Sequence, residues 1–152
     1  MNLVQKVEHW GDGHHAKWLD AVRIVLGLLI LSKGIAFISD TSAQRDWIIQ
    51  NSTFGFSGLM AMAVVHTVAL AHIVGGILIA IGLVTRFASV IQIPILVGAI
   101  FFVNLTKGFS SLNSELWLSV IVLMLLILFW IAGSGLYSVD AFMKKQTGKS
   151  YN

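Results

Sequence analysis

The amino-acid sequence predicts an all-α integral membrane protein, a four-helix bundle with a short interfacial helix between the first and second spans. Of the 152 residues, 57% are hydrophobic and only 11% are charged, whereas soluble domains carry about a quarter charged residues. The mean hydropathy is +0.84, so much of the apolar surface must face a lipid bilayer. A span needs about 20 apolar residues. The chain therefore has room for four spans and short loops, without a separate catalytic domain.

The apolar stretches divide the chain into an N-terminal interfacial segment, a membrane domain and a cytoplasmic basic tail, at residues 1–18, 19–140 and 141–152. The four predicted spans cover about residues 19–38, 59–83, 87–106 and 115–136. Trp47, Ile48 and Ile49 give the first loop an apolar side, which predicts the interfacial helix. The first residues lack the apolar core of a cleavable signal peptide, so we expect the first span to act as a signal-anchor.

Basic residues predict the orientation of the bundle in the membrane. Seven of the ten lie on the side of both termini and the second loop: Lys6, Lys17, Arg23, Arg86, Lys144, Lys145 and Lys149. The other three are Lys33, Arg45 and Lys107. Because basic residues favour the cytoplasmic side, both termini are predicted to be cytoplasmic, in a plasma membrane of the bacterial type. Since most of the net charge of +3 belongs to this asymmetry, no nucleic-acid partner is predicted.

Three motifs follow one another along the spans. The first span carries Arg23 and Gly27, then Lys33-Gly34. The second contains Gly75-Gly76 and ends in Gly82-Leu83-Val84-Thr85-Arg86. The last ends in Gly133-Ser134-Gly135-Leu136-Tyr137-Ser138-Val139-Asp140. In this order, and over about residues 19–140, they resemble the DoxX family of small four-helix membrane proteins, which shows a Gly-Leu-x-Thr-Arg turn and a Gly-x-Gly-x-x-Ser-x-Asp ending.

The resemblance implies a four-helix membrane fold and an association with redox chemistry. The family takes its name from subunits linked to quinone-reducing thiosulfate oxidation, and some members are tied to membrane redox complexes. Most members have no assigned activity. Many relatives have a glutamate where this chain has His72, so a role that depends on that carboxylate does not transfer.

Polar groups inside the spans are the candidate ligand-binding residues, because an ionisable side chain there costs at least about 2.5 kcal/mol. His72 lies in the second span, where it could hydrogen-bond a quinone or relay a proton. Alternatively, it is a neutral histidine that donates to another helix, for example to Gln92. His66 and His72 are six residues apart, about 120° around a helix, so they cannot both bind one haem iron. The geometry still allows a haem to bind between two copies of the chain.

Charged groups near the span ends have both structural and binding interpretations. Arg23 and Asp140 are predicted to form an ion pair at the cytoplasmic end, with an anion site at Arg23 as the alternative. Lys33, His66 and Asn104, together with Glu115, map to the outer third of the membrane. They line a polar pocket under the interfacial helix or extend to the headgroups.

The sequence assigns no catalytic residue and no metal site. It has no cysteine, which excludes thiol chemistry, and no nucleophile motif. His9, His14 and His15, with Asp12, form only a weak and incidental metal-binding pattern. Two functions remain: a redox-associated subunit that binds a quinone or lipid-like molecule, or a non-catalytic accessory subunit of a larger membrane complex. Both imply other membrane-protein subunits as partners. A small transporter is a weaker third interpretation.

Overall fold

The structure, a computed structural model, describes residues 17–51, 55, 57–101, 114–135 and 137–147. These residues form helices and no strand. The helices are α1 (Lys17–Ser39), α2 (Thr41–Asn51), α3 (Gly58–Ile81), α4 (Thr85–Ala99), α5 (Ser114–Ala132) and α6 (Val139–Thr147). The predicted all-α membrane bundle is confirmed.

Three of the helices are long and apolar enough to cross a membrane, namely α1, α3 and α5. α4 is a shorter apolar helix. It corresponds to the predicted span at 87–106, but it begins earlier, at Thr85, and residues 102–106 lie outside the described residues. α5 ends before the predicted residue 136, because Gly133 leaves the helix with a φ of 80°.

Two short helices accompany these four. α2 occupies the loop in which the sequence predicts an interfacial helix, and it packs against α3. α6 replaces part of the predicted basic tail. It begins where the Ala141 amide donates to Ser138 Oγ at 3.1 Å, and it exposes the apolar side chains of Phe142 and Met143.

Close backbone packing of α1 against α3 is the most extensive helix contact in the described part of the chain. A Cβ atom added to Gly76 would lie 2.6 Å from the Leu31 nitrogen and 2.8 Å from the Gly27 oxygen. A Cβ at Gly34 would lie 2.8 Å from Ile73 Cγ1. Small residues therefore let the two helices approach closely.

The two ends of the bundle are formed by different elements. At one end the start of α1, the α3–α4 turn, the end of α5 and the start of α6 meet through hydrogen bonds. We call it the motif end, because it unites residues of all three sequence motifs. At the other, the α2 end, α1 leads into α2. Between the ends lies an apolar core that includes the buried residues Leu26, Ile79 and Phe129.

Candidate functional site

Asp140 binds the N-terminus of α4 at the motif end. Its carboxylate oxygens accept hydrogen bonds from the Val84 amide at 2.9 and 3.1 Å, and its own amide donates to the Gly82 carbonyl at 3.2 Å. Val84, which precedes α4, has a φ of 49° and supplies no side-chain cap. Asp140 therefore provides the acceptor that the first turn of α4 lacks.

Arg23 is fully buried at the same end, with 1% of its surface exposed. Its Nη1 donates to Asp20 Oδ1 at 3.1 Å and its Nη2 to the Tyr137 carbonyl at 2.8 Å. The Tyr137 amide in turn donates to Asp20 Oδ2 at 3.3 Å. The prediction that Arg23 pairs with Asp140 is therefore wrong. Asp20 lies one turn earlier on the same helix face, and Asp140 is held at the Val84 amide.

Gly82 lies close to both Arg23 and Ser138. Its φ is 73°, in the left-handed region that favours glycine. A Cβ there would lie 2.5 Å from Ser138 Cβ and 2.9 Å from Arg23 Cζ. The first glycine of the Gly-Leu-x-Thr-Arg turn is therefore required both by its backbone conformation and by close packing.

Arg86, the last residue of that turn, contacts the end of α5. Its Nη2 donates to the Ile131 carbonyl at 3.3 Å, and a Cβ at Gly133 would lie 3.1 Å from Nη2. The negative C-terminal end of the α5 dipole stabilises a cation in this position. Asp140 of the third motif therefore binds the start of α4, and Arg86 of the second motif binds the end of α5.

His72 lies near the middle of α3 and is 8% exposed. Its Nδ1 is 3.0 Å from the Val68 carbonyl on the same helix. Because a carbonyl only accepts, this contact assigns the proton to Nδ1 and leaves Nε2 as an acceptor. The imidazole also stacks on Phe37 of α1, with ring centroids 6.3 Å apart and an interplanar angle of 19°.

One interpretation of the sequence predicted a hydrogen bond between His72 and Gln92. The structure does not contain this bond. The Gln92 Nε2 donates instead to the Ala71 carbonyl at 2.6 Å, which ties α4 to α3. The amide passes directly over Gly75, where a Cβ would clash with Gln92 Nε2. Gln92 is 1% exposed, so its amide serves helix packing.

Of the remaining ligand candidates, the structure describes His66 and Lys33. His66 is exposed and its Nδ1 donates to the Met62 carbonyl at 2.9 Å. Lys33 pairs with Glu115 of α5, with Nζ 2.9 and 3.0 Å from the two carboxylate oxygens. Asn104 lies outside the described residues, as do His9, Asp12, His14 and His15. Within the described part of the chain, no group of three or more His, Asp or Glu side chains is arranged to hold a metal ion.

Several buried polar residues were not anticipated from the sequence. Asp20 is one, and its spacing of three residues from Arg23 was the available signal. Thr85 and Ser89 are 1% and 0% exposed, and neither hydroxyl has a hydrogen-bond partner among the described residues. Their spacing of four residues places both on the inner face of α4.

Comparison with protein families decides the classification. The DoxX family model matches residues 18–105, more than half of the 152-residue chain. The chain belongs to the DoxX family. No curated protein and no solved structure gives a significant match.

In this DoxX protein the first two motifs lie within the family match, and the third lies beyond it. The third motif nevertheless bonds to the second through Asp140 and Val84, so the bundle depends on both. The DoxX motifs here supply both the glycines that let α1 and α3 pack closely and the contacts between helix ends. His72 is separate from these motifs, and among the described residues its Nε2 has no hydrogen-bond partner.

Proposed function

We propose that this DoxX protein is a redox-associated membrane subunit that binds a quinone-type or similar lipid-like molecule within its helix bundle. The observation that supports this proposal is the acceptor at His72 Nε2. The side chain is 8% exposed, its Nδ1 is occupied by the Val68 carbonyl, and Nε2 has no hydrogen-bond partner among the described residues. A polar atom left in this state inside a membrane bundle is a candidate ligand contact.

The chemistry of this nitrogen selects one form of the ligand. A neutral imidazole that donates through Nδ1 can only accept through Nε2. A quinol hydroxyl donates a hydrogen bond, whereas a quinone carbonyl can only accept one. His72 in this tautomer therefore favours the reduced, hydroxyl-bearing form, and the neighbouring Phe37 ring supplies an aromatic surface for its head group.

Electron transfer is assigned to a partner subunit in this proposal. The chain has no cysteine, and its own contribution is to bind and orient the lipid-like molecule. We place the protein in a bacterial-type plasma membrane with both termini in the cytoplasm, on the basis of its lysine and arginine distribution.

The test compares two histidines of α3 that make the same backbone contact. His72 and His66 each donate Nδ1 to a carbonyl four residues earlier, but only His72 is buried. The protein is purified in mild detergent with added ubiquinol or menaquinol, and the retained quinol is measured by mass spectrometry. His72→Phe keeps an aromatic ring but removes the acceptor, so we expect roughly tenfold less quinol, the effect of one lost hydrogen bond.

Two further results decide the proposal. His66→Phe should retain as much quinol as the wild type, and His72→Gln, which keeps an acceptor but takes up no proton, should retain an intermediate amount. If the wild type retains none, or if His72→Phe retains as much as the wild type, His72 is a packing residue.

A second candidate function is a non-catalytic accessory subunit. It is favoured by the internal use of the charged groups at the motif end, where Arg23 is paired with Asp20 and Asp140 is bound to a backbone amide. Such a bundle offers its neighbours mainly apolar faces, including Trp130 and Met124 on α5. Stoichiometric copurification with a larger membrane complex, without bound quinol, would support this function.

A further inference from the structure

An apolar crevice separates α1 from α5 along the middle of the bundle. These two helices make few direct contacts, although α1 packs closely on α3 and α5 on α4. The crevice has a volume of about 260 Å³, and every residue that lines it is apolar. Val22, Val25 and Leu29 form the α1 wall, and Leu118, Ile121 and Leu125 form the α5 wall. His72 is not among the lining residues.

A charged pair lies one helical turn beyond the crevice, toward the α2 end. Lys33 follows Leu29 by one helical turn, and Glu115 precedes Leu118 by one turn, so both continue the walls of the crevice. The Lys33 Nζ lies 2.9 Å from Glu115 Oε2. Both side chains stay accessible, with 38% and 53% of their surfaces exposed. The last turns of α1 and the first turn of α5 lie where a span reaches the headgroup region.

We propose that this crevice binds one acyl chain of a zwitterionic aminophospholipid, with its headgroup at the Lys33–Glu115 pair. The phosphate lies against Lys33 Nζ and the ammonium group against Glu115. The acyl chain descends between Val25 and Ile121. This lipid site is distinct from the quinol site at His72 and does not depend on it.

Charge complementarity selects this occupant. The pair presents one positive and one negative group side by side, which matches a phosphate and an ammonium on the same headgroup. An anionic headgroup without an amine would compete with Glu115 for Lys33 and would bring no positive charge of its own to the carboxylate. A choline headgroup carries the positive charge but has no N–H to donate to Glu115. The almost entirely apolar lining of the crevice suits a hydrocarbon chain.

The experiment is native mass spectrometry of the intact protein in detergent, titrated with phosphatidylethanolamine, phosphatidylcholine or phosphatidylglycerol of the same acyl chains. We expect one phosphatidylethanolamine per chain, at roughly tenfold higher affinity than phosphatidylglycerol, from one additional charge-assisted hydrogen bond. Lys33→Met and Glu115→Gln should each remove this preference. Val25→Phe, which narrows the crevice from an exposed position, should lower the occupancy by phosphatidylethanolamine.

Two matched variants serve as controls. Arg45→Gln breaks the ion pair with Asp46 on α2, whose exposure of 36% and 52% is similar to that of the Lys33–Glu115 pair. Val74→Phe enlarges an exposed valine of α3 that does not line the crevice. Both should bind phosphatidylethanolamine like the wild type. Equal lipid binding in all variants would overturn the proposal, as would displacement of the lipid by a quinol. A dimer that Val25→Phe disrupts would assign the crevice to a second copy of the chain.

Discussion

Both carboxylate oxygens of Asp140 accept hydrogen bonds from the backbone amide of Val84, a residue 56 positions earlier in the chain. The contact joins the start of α6 to the start of α4. It caps a helix whose own preceding residue has no capping side chain. The first amides of a helix have no acceptor within that helix, and Asp140 supplies one from a distant part of the chain.

The first prediction concerns this cap. Asp140→Ala should lower the free energy of unfolding by about 1 kcal/mol, the usual effect of removing an N-cap acceptor. Asp140→Asn keeps one acceptor oxygen and should lose less. The measurement is chemical denaturation in detergent, with Asp46→Ala on α2 as the exposed-carboxylate control. If Asp140→Ala unfolds like the control, the contact does not stabilise α4.

The second prediction concerns Arg23 and Asp20, whose side chains are 1% and 5% exposed. Removing one partner of a buried ion pair costs about 3–5 kcal/mol, because the other charge stays buried alone. The double variant Asp20→Ala/Arg23→Ala should therefore lose much less than the sum of the two single variants. A double-mutant cycle of Arg23 with Asp140 should show weaker coupling. Stronger coupling in the Arg23–Asp140 cycle would restore the pairing that the sequence predicted.

The third prediction compares two helical glycines. Gly76→Ala places a Cβ against the α1 backbone, and overpacking of this kind costs about 1–3 kcal/mol. At Gly98 of α4 a Cβ would meet nothing within 4 Å, so Gly98→Ala should be neutral or stabilising by up to about 1 kcal/mol. Thermal unfolding of both variants in the same detergent is the measurement. Equal melting temperatures would mean that α1 and α3 do not touch at Gly76.

The fourth prediction concerns orientation in the membrane. Because the start of α1, the α3–α4 turn and the start of α6 meet at the motif end, both termini should lie on the same side of the membrane as that end. The distribution of basic residues predicts that this side is cytoplasmic. A reporter fused after Asn152, and one that replaces the residues before Lys6, should both be active in the cytoplasm. A periplasmic signal from either fusion contradicts this orientation.

The helical bundle could be predicted from the sequence because hydropathy fixes the length and number of apolar helices. The close approach of α1 and α3 could be predicted as well, since Gly27 and Gly34 recur on one helix face. The end of α5 could not be placed, because Leu136 extends the apolar stretch past the glycine at 133 that ends the helix. Helix α6 was missed because its mixed composition resembles that of a basic tail.

The candidate site was harder to predict. The sequence identified Arg23 and Asp140 as residues of the same end, but it gave them each other as partners. Hydropathy and spacing place a residue along a helix, whereas hydrogen-bond partners depend on side-chain reach and on backbone groups such as the Val84 amide. The same limit applies to Gln92, whose partner is the Ala71 carbonyl and not the His72 ring. The ion pair between Lys33 and Glu115 could not be predicted, because the sequence does not show how α1 faces α5.

The contact between Val84 and Asp140 also has a consequence during synthesis. Chains grow at about 5–20 residues per second, so Asp140 leaves the ribosome some three to eleven seconds after Val84, which precedes it by 56 residues. The whole of α4 is therefore synthesised before the acceptor for the Val84 amide, and Arg86 is synthesised 45 residues before the Ile131 carbonyl that it binds. The third motif therefore supplies the last-synthesised contacts of the motif end.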